Sequence, residues 1–315
     1  INEKNQNSEY SDIYIAHSQN DKFILITMRS SGELLVIDPV QKRIDFKFEL
    51  SGFVESTTLN DSAIYIGFNN GDIIEFDLYS GSQKILSTID GYPQGMMATD
   101  RWLFVSDGGL YTIDLLTGEI VSSRAFYGLS TQYFVYSSSR KMGFTSRETT
   151  LFGFNINESD GKVSNVWETR PSGKWLFSLY LNPDQSEIVA LNGSVLRTGN
   201  ESIEIELVGM YEHYISSPVF DIENDRLYSV RRINYPTDTR DLDIYRMSDK
   251  THLRKQLVEG DAYLITEKNN TLYLLSIAGV EGNRLAILEY EIDELEVNSK
   301  LITEKSYILP HHYTY

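Results

Sequence analysis

Short runs of alternating apolar and polar residues recur along the chain, each launched by a polar turn. Asn20-Asp21-Lys22 precedes FILIT, Asn60-Asp61-Ser62 precedes AIYIG, and Thr99-Asp100-Arg101 precedes WLFVS. Ser138-Ser139-Arg140 precedes KMGFT, and Asn182 to Ser186 precedes EIVAL. Glu223-Asn224-Asp225 precedes RLYSV, and Lys268-Asn269-Asn270 precedes TLYLL. A period of two puts alternate side chains on one face of a strand, and no stretch sustains the 3.6-residue period of a helix. Positions 21, 61, 100, 139, 184, 225 and 269 fall 40, 39, 39, 45, 41 and 44 residues apart, which gives seven units.

A second pattern follows each run. Ile73 to Asp77 leads through Leu78-Tyr79-Ser80-Gly81 to QKILS, and Leu110 to Asp114 leads through Leu115-Leu116-Thr117-Gly118 to EIVSS. Later copies, such as Leu242 to Arg246 and Leu285 to Glu289, are looser. Alternation ending in Asp or Asn, then Gly, then alternation again is a hairpin, because Asp bonds nearby N–H groups and Gly accepts positive φ. A further apolar run ahead of each polar turn, such as Phe177 to Leu181, brings each unit to four antiparallel strands. Such a sheet buries its faces only by stacking on copies of itself. The expected fold is therefore all-β, a seven-bladed β-propeller with four antiparallel strands per blade. One domain should span 1–315, with blades at about 9–50, 51–89, 93–128, 130–171, 173–208, 213–258 and 259–303 and a C-terminal tail at 304–315. Residues 1–8 or 305–313 could add an edge strand.

Composition agrees with a sheet protein. Tyr (21) and Phe (14) are abundant, Pro (7) is scarce, and 41% of residues are hydrophobic. The 45 acidic and 28 basic residues leave a formal net charge of −17, which repels phosphate backbones, so no nucleic-acid partner is expected. No apolar run reaches the length of a transmembrane helix. The sequence opens Ile1-Asn2-Glu3 without Met or a signal peptide, which reads as a trimmed N-terminus. The absence of cysteine excludes a disulfide framework and a thiol nucleophile, and it sits comfortably with an extracytoplasmic location, whether periplasmic, cell-surface or secreted.

The segment LYTIDLLTGEIVSS, Leu110 to Ser123, resembles the pyrroloquinoline-quinone-like repeat, and IIEFDLYSGSQKILS is a second match. LNPDQSEIVAL, Leu181 to Leu191, resembles the repeats of YVTN and TolB-type propellers. The similarity covers the whole chain in period, with the strongest motifs in units two and three. The resemblance implies architecture shared by many functions, so it fixes no activity. Quinone enzymes of that superfamily typically use eight blades, end many repeats in Trp, and hold the cofactor with calcium. Here only Trp102, Trp167 and Trp175 occur, and Leu86 or Ser122 stands at the repeat end, so no cofactor is expected.

Catalytic signatures are missing as well. The five histidines, His17, His213, His252, His311 and His312, fall into no paired metal spacing, and there is no HExxH, GxSxG or P-loop, so no metal site is expected. The run Asn155 to Gly161 departs from an EF-hand loop and reads as a hairpin turn. Sequons at Asn60, Asn157, Asn192, Asn200 and Asn269 matter only in a eukaryotic source.

Breaks in the repeat are the remaining clue, since rigid scaffolds carry binding sites on their loops. The loop between second and third strands is short in early units but grows to Arg231–Asp241 in unit six and Ala278–Asn283 in unit seven. On the same expected face, the connections between units carry Tyr92, Tyr127, Arg170, Lys174, Trp175, Tyr211, His213 and Tyr214. With Arg231, Arg232 and Tyr235 these form an expected binding face, aromatic and Arg-bearing as interface anchors are. A non-catalytic propeller recognising a protein, peptide or glycan is the first expectation. A lactonase-like hydrolase or lyase with a channel-mouth site, and a structural domain of a larger envelope or secreted protein, are the alternatives.

Overall fold

Among the described residues of the computed structural model, seven four-stranded antiparallel sheets form, each an up-and-down meander in chain order. They span residues 13–49, 54–88, 95–129, 134–169, 179–210, 219–259 and 261–308. The structure describes residues 13–17, 24–28, 33–38, 41, 43–50, 52–129, 134–201, 204–216, 218–231, 239–259, 261–268, 271–278, 284–291 and 304–308. No α-helix occurs among them. Two compact units form, residues 1–134 with 156–164, and residues 135–155 with 165–315.

Within each unit, alternation becomes packing. In the strand Ala63–Phe68 of sheet two every residue is buried. Ile64, Ile66 and Phe68 join a core cluster with Leu25, Leu34 and Val36 of sheet one. Ala63 and Tyr65, on the opposite face, join Leu103, Val105 and Ile113 of sheet three. The second unit repeats the device. Ile188 and Ala190 of sheet five pack on Met142, Phe144 and Leu151, while Val189 packs with Leu227 and Tyr245 of sheet six. Tyr228, Val230, Leu242 and Ile244 face Leu272, Leu274, Leu288 and Tyr290 of sheet seven. Two fourth strands, Gln83–Thr88 and Val163–Thr169, are largely exposed or half-buried.

Turn chemistry repeats with equal regularity. Asp77, Asp114 and Asn157 open turns in which the N–H of Gly81, Gly118 or Gly161 donates to the carbonyl four residues back. Their side-chain oxygens accept the N–H of Tyr79, Leu116 and Ser159 at 2.8, 2.8 and 3.1 Å. The three glycines lie at φ of +68°, +75° and +70°. Sheet six departs from the pattern, with Arg246 opening the turn and Lys250 at φ +64°. That conformation costs a non-Gly residue roughly 1–2 kcal/mol. Lys250 Nζ is offset by Glu187, 3.1 Å away in sheet five, and sits over the Tyr211 ring.

Polar turns between first and second strands stitch neighbouring sheets together. Asn60 Oδ1 accepts the N–H groups of Ser62 and Ala63, while its Nδ2 donates to the Thr99 carbonyl of the next sheet. Gln185 Oε1 accepts from Ser137 Oγ and from the Ser139 N–H, at 2.9 and 3.0 Å. Gln185 Nε2 donates to Ser138 Oγ.

One boundary shifts. Glu304–Ile308, placed in the tail with an edge strand over 305–313 as the alternative, is the fourth strand of the seventh sheet and pairs with Arg284 to Leu288. The third strand, Arg284–Glu291, otherwise has an unpaired edge, and the five-residue run EKSYI satisfies it.

Candidate functional site

Two neighbouring features of the second unit hold four of the expected binding residues, Arg170, Trp175, His213 and Tyr214, and both grow from the turn at Leu191-Asn192-Gly193. Gly193 adopts φ +85°, and a Cβ there would meet the carbonyl oxygens of Tyr211 and His213. The incoming connection is tied to the same turn, because the Leu191 N–H donates to the carbonyls of Leu176 and Ser178. The outgoing connection is tied by Tyr211 N–H to the Gly193 carbonyl and by Ile215 N–H to the Leu191 carbonyl.

Around these anchors stand large apolar side chains facing water. Trp175 is 54% exposed and Tyr214 59%, with Phe177 and Met210 also exposed. The rings of Trp175 and Phe177 lie 5.2 Å apart. Phe177 takes φ +49°, uncommon for a bulky residue, and its carbonyl accepts the Ser146 hydroxyl. Lys174 extends its ammonium to Met210 Sδ at 3.3 Å, and exposed Arg170 donates Nε to Thr150 Oγ1.

The second feature lies where sheets five and six face each other. Tyr245 and His252 are partners across the hairpin of sheet six. Asp243, two residues before Tyr245, therefore shares a sheet face with His252. Its carboxylate is 1% exposed and lies 2.9 Å from His252 Nε2. The His252 ring packs against Tyr245 at 5.0 Å and edge-on to His213 at 5.3 Å. His213 Nε2 is 3.9 Å from Glu212 Oε1. One ligand atom from each of Glu212, His213 and His252 lies within 4.8 Å of the others. Both imidazoles retain some solvent access, at 25% and 22% side-chain exposure.

The structure places the expected residues as follows. Trp175 and Tyr214 are surface residues on consecutive connections of the second unit, and Arg170 begins the first of them. Tyr211, expected on the rim, is instead a core residue, 2% exposed and edge-on to Tyr245 at 5.0 Å. Burial, with Glu187 and Asp225 nearby, pushes its phenol above the usual range. Tyr92 belongs to the first unit, exposed on the connection between sheets two and three. Tyr127 lies in the strand Ile120–Leu129, and Arg231 ends the strand Arg226–Arg231 opposite Asp241. Arg232 and Tyr235 lie outside the described residues, as do His311 and His312. Phe177, Met210 and the grouping of Glu212, His213, Asp243 and His252 were not anticipated. The diagonal Asp243–His252 pair was the one available signal, since hairpin pairing alone brings them to one face.

The sequence matches no protein-family model. It also matches no curated protein. Solved structures do match. The β-propeller domain of Cps50 (Swd1) from Myceliophteria thermophila aligns over 88% of this chain and 95% of its own, with TM-score 0.63 and 12% identity. The fold is a β-propeller. Dihydro-heme d1 dehydrogenase NirN, solved in complex with DHE, aligns over 95% of this chain and 79% of its own, with TM-score 0.63 and 10% identity. BamB from Moraxella catarrhalis aligns over 84% and 82%, with TM-score 0.50 and 16% identity. Identities this low carry architecture alone. No helix among the described residues is long and apolar enough to cross a membrane.

Proposed function

We propose that this propeller is a non-catalytic binding module whose partner, a protein or peptide, docks on the exposed aromatic surface at Trp175, Phe177 and Tyr214. The observation that carries this reading is the pairing of solvent-facing rings with rigid backbone anchors. Trp175 and Tyr214 are each one residue from a backbone bond to Leu191, so their presentation loses little freedom on binding. Lys174, next to Trp175 in the chain, supplies a charge-assisted donor for acidic groups of the partner, and exposed Arg170 at the start of the same connection offers a second. A glycan is the second reading, favoured by the exposed Trp175 face. We further propose that the seven sheets are the blades of one seven-bladed domain spanning 1–315, with repeats of the PQQ-like or YVTN-like kind. Its working location, on the cysteine-free composition, is outside the cytoplasm.

The test compares the wild-type chain with the double variant Trp175→Ala/Tyr214→Ala, each immobilised and exposed to envelope and secreted fractions of the source cells and to a glycan array. Both side chains are surface-exposed, so the double variant should unfold at the wild-type temperature. Retention of a specific partner by the wild type and at least about a tenfold loss in the variant is the expected result, given the weight of aromatic hot spots. Equal retention by both proteins would move the interface elsewhere.

A further inference from the structure

We infer that Glu212, His213 and His252 form a binding site for a divalent transition-metal ion of the zinc type, with Asp243 as the carboxylate that orients His252. The site is independent of the aromatic surface and stands whether or not that surface binds a partner.

Four observations converge. The ligand atoms lie within 4.8 Å of one another. Bound to zinc at about 2.0–2.2 Å, tetrahedral ligand atoms sit roughly 3.4 Å apart, so closure needs only about an ångström of side-chain movement. Glu212 is exposed and has the rotamer freedom to supply it. The donor set also selects the ion. Two imidazoles and one carboxylate suit zinc, copper, nickel or cobalt, whereas calcium and magnesium take all-oxygen shells.

Asp243 is the third observation. A metal-bound histidine usually donates its other ring nitrogen to a carboxylate or carbonyl, which fixes the tautomer and raises the ring's basicity. His252 Nε2 is already engaged by Asp243 at 2.9 Å, so Nδ1 is the atom left for an ion. A carboxylate 99% out of water is also favoured by positive charge held on the far side of the ring it touches.

The fourth is support. His252 starts the strand His252–Glu259, and His213 sits in the connection held to the Gly193 turn, so two separately anchored backbones deliver the ligands. An ion here would staple the connection after sheet five to the outer strand of sheet six. Three protein ligands leave at least one coordination position for water.

The experiment uses untagged, chelator-stripped full chain titrated calorimetrically with zinc, and separately with calcium. Cobalt(II) absorption provides a second readout that reports ligand type and geometry directly. One equivalent of zinc should bind, calcium should give no comparable heat, and cobalt should show the bands of a nitrogen- and oxygen-ligated tetrahedral or five-coordinate centre. His213→Ala, in a connection rather than a strand, should keep the fold by circular dichroism and weaken zinc by at least about tenfold, as should Glu212→Gln. Asp243→Asn should weaken it by roughly 10–100-fold and shift the cobalt bands. His311→Ala/His312→Ala should change nothing. Loss of binding in that tail variant, unchanged binding in His213→Ala, or no stoichiometric binding at all would each overturn the inference.

Discussion

Gly81 and Gly118 hold the same place in successive turns, at φ +68° and +75°, yet their surroundings differ. A methyl group at Gly81 meets nothing within 4 Å, whereas one at Gly118 would lie 2.1 Å from the Leu86 carbonyl oxygen. Gly81→Ala should therefore cost only the left-handed backbone term, about 1–2 kcal/mol. Gly118→Ala should cost that plus a steric term of roughly 1–3 kcal/mol. Denaturant midpoints of the two variants give the difference directly, and equal midpoints would mean the Leu86 carbonyl yields freely. At this scale the sequence was informative about the glycines, because a turn advertises its need for positive φ. It was silent about Tyr211, since an aromatic on a connection looks the same whether it faces out or packs against Tyr245.

The turns between third and fourth strands act as elements with a shared electrostatic signature. Backbone N–H groups of Ser80 and Tyr79 hold the Asp77 carboxyl below the usual carboxylate range. The Thr251 backbone and Arg246 do the same for Asp249. Burial pushes Asp114 upward, but the Leu116 N–H and Arg101 more than offset it. A folded-state pKa below the unfolded value of about 3.9 gives stability that is complete at higher pH and lost as pH falls through that value toward the lower folded one. Denaturant midpoints should hold level from neutrality to about pH 5 and then fall steeply. Asp77→Asn should narrow the drop, and an unchanged acid limb in that variant would remove the turn from the explanation. Elements were the level at which the sequence spoke best. The runs AIYIG, WLFVS and RLYSV correspond to strands within a residue or so. Glu304–Ile308 was read as tail, with an edge strand over 305–313 as the alternative, because its charged residues and short length leave too little alternation to decide.

For the molecule as a whole, charge sets the behaviour that the sequence states most directly. A net charge of −17 gives mutual repulsion at neutral pH, and a sequence pI of about 4.7 marks where it vanishes. Turbidity at fixed concentration should peak near that pH, and the protein should pass a heparin or DNA column unretained even at low salt. Retention at low salt would reveal a basic surface that the total charge conceals. The histidine cluster was illegible at every scale of sequence reading except the hairpin diagonal. His213 and His252 meet because sheet five stacks on sheet six, and stacking leaves no trace in the spacing of the ligands.

The hairpin turns carry a direction as well as a shape. Gly118 seats on Leu86 and Gly161 on the Trp102 ring. Arg140 of sheet four receives Asn200 of sheet five, and Glu187 of sheet five receives Lys250 of sheet six. In each of these cases the later segment leans on an earlier one. A chain leaving the ribosome N-terminus first therefore meets these docking surfaces already made, while the Asn60 and Ser137 turns are completed only when Thr99 and Gln185 of the following sheets arrive.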